Sequence, residues 1–141
     1  MEKFVDVILP LPLHACFTYS LPEDMAGIVQ IGCRVVVPFG RKKYYTAIVQ
    51  NIHYSAPAGY EVKEVSALLD AHPILLPEQF RFWDWLADYY LCTRGDVYKA
   101  ALPSGLKLES ETIVEYNPDF ESDVQLPEKE QKILNLLAAE P

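Results

Sequence analysis

Arg34-Val35-Val36-Val37-Pro38-Phe39-Gly40-Arg41-Lys42-Lys43-Tyr44-Tyr45-Thr46-Ala47-Ile48-Val49 is an apolar run, a Pro-Phe-Gly break carrying three cations, and a second apolar run. β-Branched and aromatic residues on both sides of a glycine break favour strands. A tight turn at Gly40 would present backbone N–H groups and positive charge together, which suits a phosphate or a strand terminus. The same composition also suits a hairpin whose charged tip is simply solvated, and spacing alone leaves both readings open.

Outward from this stretch, short strands are expected at 4–9, 17–20, 34–37, 44–54 and 64–69. Leu9-Pro10-Leu11-Pro12-Leu13 cannot be a central strand, because each proline removes a ladder donor and restrains its predecessor. It reads as a stiff connection. Five short strands with tight turns predict a small curled β-sheet or barrel. The pattern changes at Pro77, which suits the first position of a helix. Phe80, Trp83, Ala87 and Tyr90 share one face of that helix, and Phe82, Trp85, Leu86 and Tyr89 widen it, so it is expected to be largely buried. Arg81, Asp84 and Asp88 form its polar stripe, a solvated face in preference to a catalytic carboxylate pair. A second helix is expected over 96–102 after the Arg94-Gly95 break, ended by Pro103-Ser104-Gly105.

The fold class is thus α+β, a curled sheet or barrel followed by two packed helices, occupying residues 1–105. Residues 106–125 read as a connecting strand at 112–116 and an acidic linker. From 126 to 141 a helix carries Ile133, Leu134, Leu136 and Leu137 as an apolar stripe that needs a partner. This segment is expected to be the truncated start of a second domain.

Among 141 residues half are apolar, as in a globular chain. No apolar run approaches the roughly 20 residues of a spanning helix, and the N-terminus lacks a signal-peptide layout, so no membrane partner and a cytoplasmic location are expected. Cys16, Cys33 and Cys92 are widely and irregularly spaced, and are read as reduced, buried thiols with no metal site. The net charge of −8 argues against nucleic acid, since phosphate binding rests on Lys and Arg. Its distribution weakens that objection: residues 1–105 hold 9 Lys/Arg against 11 Asp/Glu, and 106–141 hold 3 against 9.

Phosphate-binding Walker and Gly-x-Ser-x-Gly motifs are both missing, and His14, His53 and His72 have no companion at triad or metal spacing. No catalytic residue and no cofactor is therefore expected. The aromatic cluster of the first helix could stack bases, but its helical spacing points to core. Phe17, Thr18 and Tyr19 could offer a ring and a hydroxyl to a ligand, or form an ordinary edge strand.

Val7-Ile8-Leu9-Pro10-Leu11-Pro12-Leu13, Phe17-Thr18-Tyr19, Leu21-Pro22-Glu23, Gly32-Cys33-Arg34-Val35-Val36-Val37-Pro38-Phe39-Gly40, Ala87-Asp88-Tyr89-Tyr90 and Gly95-Asp96-Val97 together resemble the N-terminus of the primosomal protein N′ family, the PriA replication-restart helicases. The resemblance spans about residues 4–105. It implies a non-catalytic domain that binds the 3′ end of the nascent leading strand at stalled, branched forks. A winged-helix domain would begin at the C-terminal helix, with ATP, magnesium and zinc bound by the helicase portion of a full-length member. Primosome and single-strand-binding proteins would be partners of that longer chain.

The family's pocket for the terminal nucleotide maps onto Phe17 and Thr18, Gly40, and Lys63. Tyr19 adjoins it, and Arg41, Lys42 and Lys43 would attract the backbone. Thr18 departs from the aspartate usual in the family, so either recognition of a free 3′ hydroxyl is weaker or another acid serves. The competing expectation is a protein-interaction barrel that docks a partner or the rest of its own chain.

Overall fold

The computed structural model describes residues 2–59, 61–109, 114–119 and 125–139. The chain divides into two compact units, Met1–Ser110 and Glu111–Pro141. The first contains β1 (Phe4–Ile8), β2 (Phe17–Ser20), β3 (Arg34–Phe39), β4 (Lys43–His53), β5 (Ala67–Leu68), α1 (Pro77–Tyr90), α2 (Arg94–Ala101) and a short 3-10 turn, Ser104–Leu106.

The strands form one antiparallel sheet in the order β2-β1-β4-β3-β5. β3 runs two residues beyond the expected Val37, and Phe39 pairs with Lys43, so the turn is Gly40-Arg41-Lys42. Pro38 is tolerated inside β3 because β5 pairs only with Val35 and Val36, leaving no ladder acceptor that its missing N–H would have to serve. The sheet is open but strongly curled. Ser20 of β2 bridges Glu64, its N–H donating to the Lys63 carbonyl at 3.0 Å, and the same segment then continues into β5 on the far edge.

Alternation along the strands feeds two cores. Val5, Val7, Val35, Val37, Ala47 and Val49 point into the curl with Tyr19 and Val65. Ile8 and Ile48 point the other way, against Trp83, Ala87, Val97, Tyr98 and Leu102 of the helical layer. A register shift between Asp6 and Val7 accompanies this division along β1. Because both faces of β4 are covered, Thr46-Ala47-Ile48-Val49 is fully buried and loses the simple alternation of a half-exposed strand. Tyr98 anchors the helices on it, its hydroxyl donating to the Thr46 carbonyl at 2.7 Å. Burial pushes that phenol's pKa upward, so Tyr98 stays a neutral donor.

α1 begins as expected at Pro77, with the Gln79 side-chain oxygen accepting from the Leu76 N–H. It ends at Leu91, held in the left-handed region at φ 50° with its N–H on the Ala87 carbonyl. The expectation that α1 is largely buried is corrected. Only Trp83 and Ala87 are buried, while Phe82, Trp85, Tyr89 and Tyr90 are 56, 55, 65 and 67% exposed. α1 is apolar nearly all round, but the sheet reaches only one side of it. The exposed rings stack on one another, Trp85 on Phe82 at 6.0 Å and on Tyr89 at 5.1 Å.

α2 starts at Arg94 and not after it, because Thr93 and Asp96 cap each other: the Asp96 N–H donates to Thr93 Oγ1 at 3.1 Å and the Thr93 N–H to Asp96 Oδ2 at 3.0 Å. Residues 106–109, read from sequence as the start of the connecting segment, are tied to the sheet: Leu106 accepts from Arg34 Nη1 and Leu108 from Thr46. All three cysteines are free, but only Cys33 is buried, and Cys16 is exposed. In the second unit, Val114–Tyr116 carry no strand, and Thr112 and Ile113 of that expected strand lie outside the described residues, as do 120–124 of the acidic linker. α3 (Glu128–Ala139) forms, with Ile133 and Leu136 exposed.

Candidate nucleic-acid interface

The curl brings three distant segments around one pocket. β2 contributes Phe17, Thr18 and Tyr19; the end of β3 contributes Pro38 and Phe39, with Gly40 following; and the segment before β5 contributes Glu61 and Lys63. The cavity measures about 170 Å³ and is mainly apolar, enough for a sugar or part of a base, with the rest of a strand left outside.

Each wall has a local cause. Phe17 packs edge-on to Phe39, with ring centroids 5.1 Å apart, and Phe39 in turn meets Tyr45 at 6.1 Å. This aromatic floor is stiff, because T-shaped pairs fix ring orientation. Tyr19 is buried and donates its hydroxyl to the Pro38 carbonyl at 3.1 Å, which ties β2 to the end of β3 across the curl. Gly40 has φ 71°, a conformation glycine adopts without penalty, and a Cβ there would meet nothing within 4 Å. Its glycine is thus required by backbone angle, and the space beside it is open to a ligand.

Lys63 reaches the turn from the opposite side, its Nζ donating to the Gly40 carbonyl at 2.7 Å. It can do so because Ser20 pairs with its own segment, carrying residue 63 alongside β2. The pocket therefore offers an aromatic face, a cation and open backbone, a combination that can stack a base and meet one phosphate.

Of the eight residues named from sequence, Phe17, Thr18, Tyr19, Gly40 and Lys63 line this pocket. Arg41, Lys42 and Lys43 do not; they are exposed and follow Gly40 at and beyond the tip of the turn. Glu61, Pro38 and Phe39 were not named as site residues. The signal for Glu61 was its spacing of two from Lys63, which in an extended segment places side chains on one side. The Thr18 hydroxyl is engaged by Asp6 across the β1–β2 ladder, donating to its Oδ1 at 2.7 Å, a partner visible only once the two strands are paired in register.

A second cavity of about 290 Å³ lies between the Pro-rich connection and the helices. Its Arg94 is engaged by Asp84, with Nε 2.5 Å from Oδ1. Among the described residues no group of three or more His, Cys, Asp and Glu could hold a metal ion, and no helix is long and apolar enough to cross a membrane.

Residues 6–103 match the family model for the 3′DNA-binding domain of PriA, and residues 111–141 match a winged helix domain. The replication restart protein PriA of Bacillus subtilis is 33% identical over 137 residues, which cover 94% of this chain and 17% of that protein. The Haemophilus influenzae protein of the same name is 37% identical over 108 residues, 74% of this chain and 14% of its own length. That of Treponema pallidum is 29% identical over 108 residues. The chain thus spans about one sixth of the length of these relatives. With most of its length matched in this way, the chain belongs to the PriA 3′DNA-binding domain family.

Proposed function

We propose that this chain is the DNA-binding module of a replication-restart protein and that its pocket receives the 3′ end of the nascent leading strand at a stalled fork. The observation that carries the reading is the convergence of Phe17, Thr18, Gly40 and Lys63 on one cavity from three separate segments. The terminal base stacks against Phe17, Gly40 lets the backbone approach closely, and Lys63 meets the last phosphate. Arg41, Lys42 and Lys43 at the neighbouring tip attract the strand as it leaves the pocket. A protein-docking barrel is not favoured, since the family matched over residues 6–103 is a DNA-binding one.

This portion binds and does not catalyse. In a longer chain of the kind its relatives have, a 3′-5′ helicase motor would use ATP and magnesium and carry zinc, in the cytoplasm. Primosome and single-strand-binding proteins would be partners of that longer chain, and the exposed rings of α1 are a surface whose chemistry suits protein contacts.

The test is fluorescence anisotropy with strands labelled at the 5′ end. A free 3′ end should bind more tightly than one enclosed in a hairpin, and Gly40→Asp should weaken binding. With two or three phosphate contacts the slope of log K against log salt should be about −2. Equal affinity for accessible and enclosed 3′ ends would sink the reading.

A further inference from the structure

Residues 106–109 cover an edge of the sheet that would otherwise be bare. β1 pairs with β4 only from Ile48 to His53, so Tyr45 and Thr46 have no neighbour on that side until the chain returns after α2. There Glu109 bridges Tyr45, and the Leu108 carbonyl accepts from the Thr46 N–H at 3.1 Å and from Thr46 Oγ1 at 2.7 Å. Arg34 Nη1 donates to the Leu106 carbonyl at 3.0 Å, and Lys107 Nζ to the Lys99 carbonyl at 2.5 Å. The hold is polar and thin. Leu106 and Leu108 stay 38 and 56% exposed, and a segment that buries so little apolar surface opens locally at lower free energy than the core of the strand it covers. Thr46 is fully buried, and its N–H loses its acceptor whenever this segment lifts.

A row of rings joins the segment to the pocket. Phe17 and Phe39, both in the pocket wall, meet edge-on at 5.1 Å, and Phe39 meets Tyr45 at 6.1 Å. Tyr45 is the residue that Glu109 bridges. A base stacked on Phe17 restricts that ring and, through the edge contacts, Phe39, Tyr45 and the β4 backbone. With β4 already ordered there, closing 106–109 onto it costs less entropy, which is a positive coupling without a change of fold.

We propose that residues 106–109 form a strap whose closure is coupled to occupancy of the pocket: a bound DNA end tightens the strap on β4 and so fixes the point at which the chain leaves the first unit. Linkage makes the effect reciprocal, and a chain whose strap stays open binds DNA more weakly by the same factor. The inference rests on reading the pocket as a DNA site.

The experiment follows amide hydrogen exchange of the 141-residue chain by NMR, free and with a strand bearing an accessible 3′ end, with anisotropy on the same samples. In the free chain Thr46 should exchange faster than Val49, whose N–H is held by the Cys33 carbonyl inside the sheet. Binding should slow Thr46 about fivefold or more beyond any slowing of Val49. Leu108→Gly keeps the carbonyl and touches no core contact; by loosening the open strap it should speed Thr46 exchange about threefold. Thr46→Val puts a methyl where a hydroxyl now meets the Leu108 oxygen at 2.7 Å, too close for carbon, and so drives the strap off. Its affinity for the strand should fall by the factor by which binding slowed Thr46, with Val49 still protected. A Thr46 amide no faster than Val49 in the free chain, equal slowing of the two on binding, an unchanged Thr46 rate in Leu108→Gly, or native affinity in a folded Thr46→Val overturns the coupling while leaving the pocket reading intact. If the native chain binds accessible and enclosed 3′ ends equally, the pocket reading fails, and the coupling with it.

Discussion

Replacing Gly95 by alanine would, on helix propensity alone, stabilise α2 by up to about 1 kcal/mol. The tertiary packing reverses the sign. A Cβ built on Gly95 lies 1.8 Å from the Leu11 carbonyl oxygen, 2.6 Å from the Leu9 oxygen and 2.8 Å from the Leu11 carbonyl carbon. Ordinary carbon contacts need roughly 3.5 Å, so α2 and the Pro-rich connection would have to part by well over an ångström. All three obstacles are backbone atoms, and no rotamer change can relieve them. Overpacking of this kind costs about 3 kcal/mol at the upper end of its usual range, leaving a net loss of about 2 kcal/mol after the propensity gain. For a unit of this size that corresponds to a fall in Tm of roughly 8–16 °C. Thermal melts followed by far-ultraviolet circular dichroism, with urea unfolding as a second measure, would read it directly. A Tm equal to or above that of the native chain would refute the reasoning, because it would mean that the connection yields without cost.

Other substitutions separate the roles of neighbouring groups. Lys63→Ala removes the ammonium that bridges to Gly40; affinity for a 3′ end should drop about tenfold, with the salt slope shallower by about 0.7, measured by anisotropy across a salt series. Trp83 is 5% exposed, and Trp83→Ala should cost about 3–5 kcal/mol, whereas Trp85→Ala, two residues on, should cost less than about 1 kcal/mol in urea unfolding. Asp70 is held below its ordinary pKa mainly by the side-chain hydrogen bonds from Arg34, at 2.6 to 3.2 Å. Its folded pKa is below its unfolded one, so the pair stabilises the fold above the unfolded value and the contribution disappears as pH falls through the folded value. Asp70→Asn should therefore lower stability by about 2 kcal/mol at pH 7, and the difference from the native chain should vanish in acid.

Much of the fold was legible in the residues. β-Branched runs and glycine breaks located all five strands, and Pro77 located the first residue of α1, since these are local preferences of the backbone. The face that α1 would bury was not legible. Phe80, Phe82, Trp83, Trp85 and Tyr89 are apolar nearly all round the helix, and periodicity cannot say where the sheet will stand. The capping pair Thr93 and Asp96 was readable as a helix start, yet the adjacent Arg94-Gly95 suggested a break; Gly95 is instead a point of close approach between α2 and the Pro-rich connection.

The same division holds for the pocket. The residues showed an aromatic pair around a hydroxyl on β2 and a glycine at a basic turn, while Lys63 was named only through the resemblance to the family. What only the tertiary structure decided is which of these groups meet. Hydrogen bonds between Ser20 and residues 63 and 65 draw Lys63 beside β2, while the cations after Gly40 stay outside the cavity. The cross-strand register sets Asp6 behind Thr18, and pairing between strands is a long-range property that no local pattern in either strand encodes.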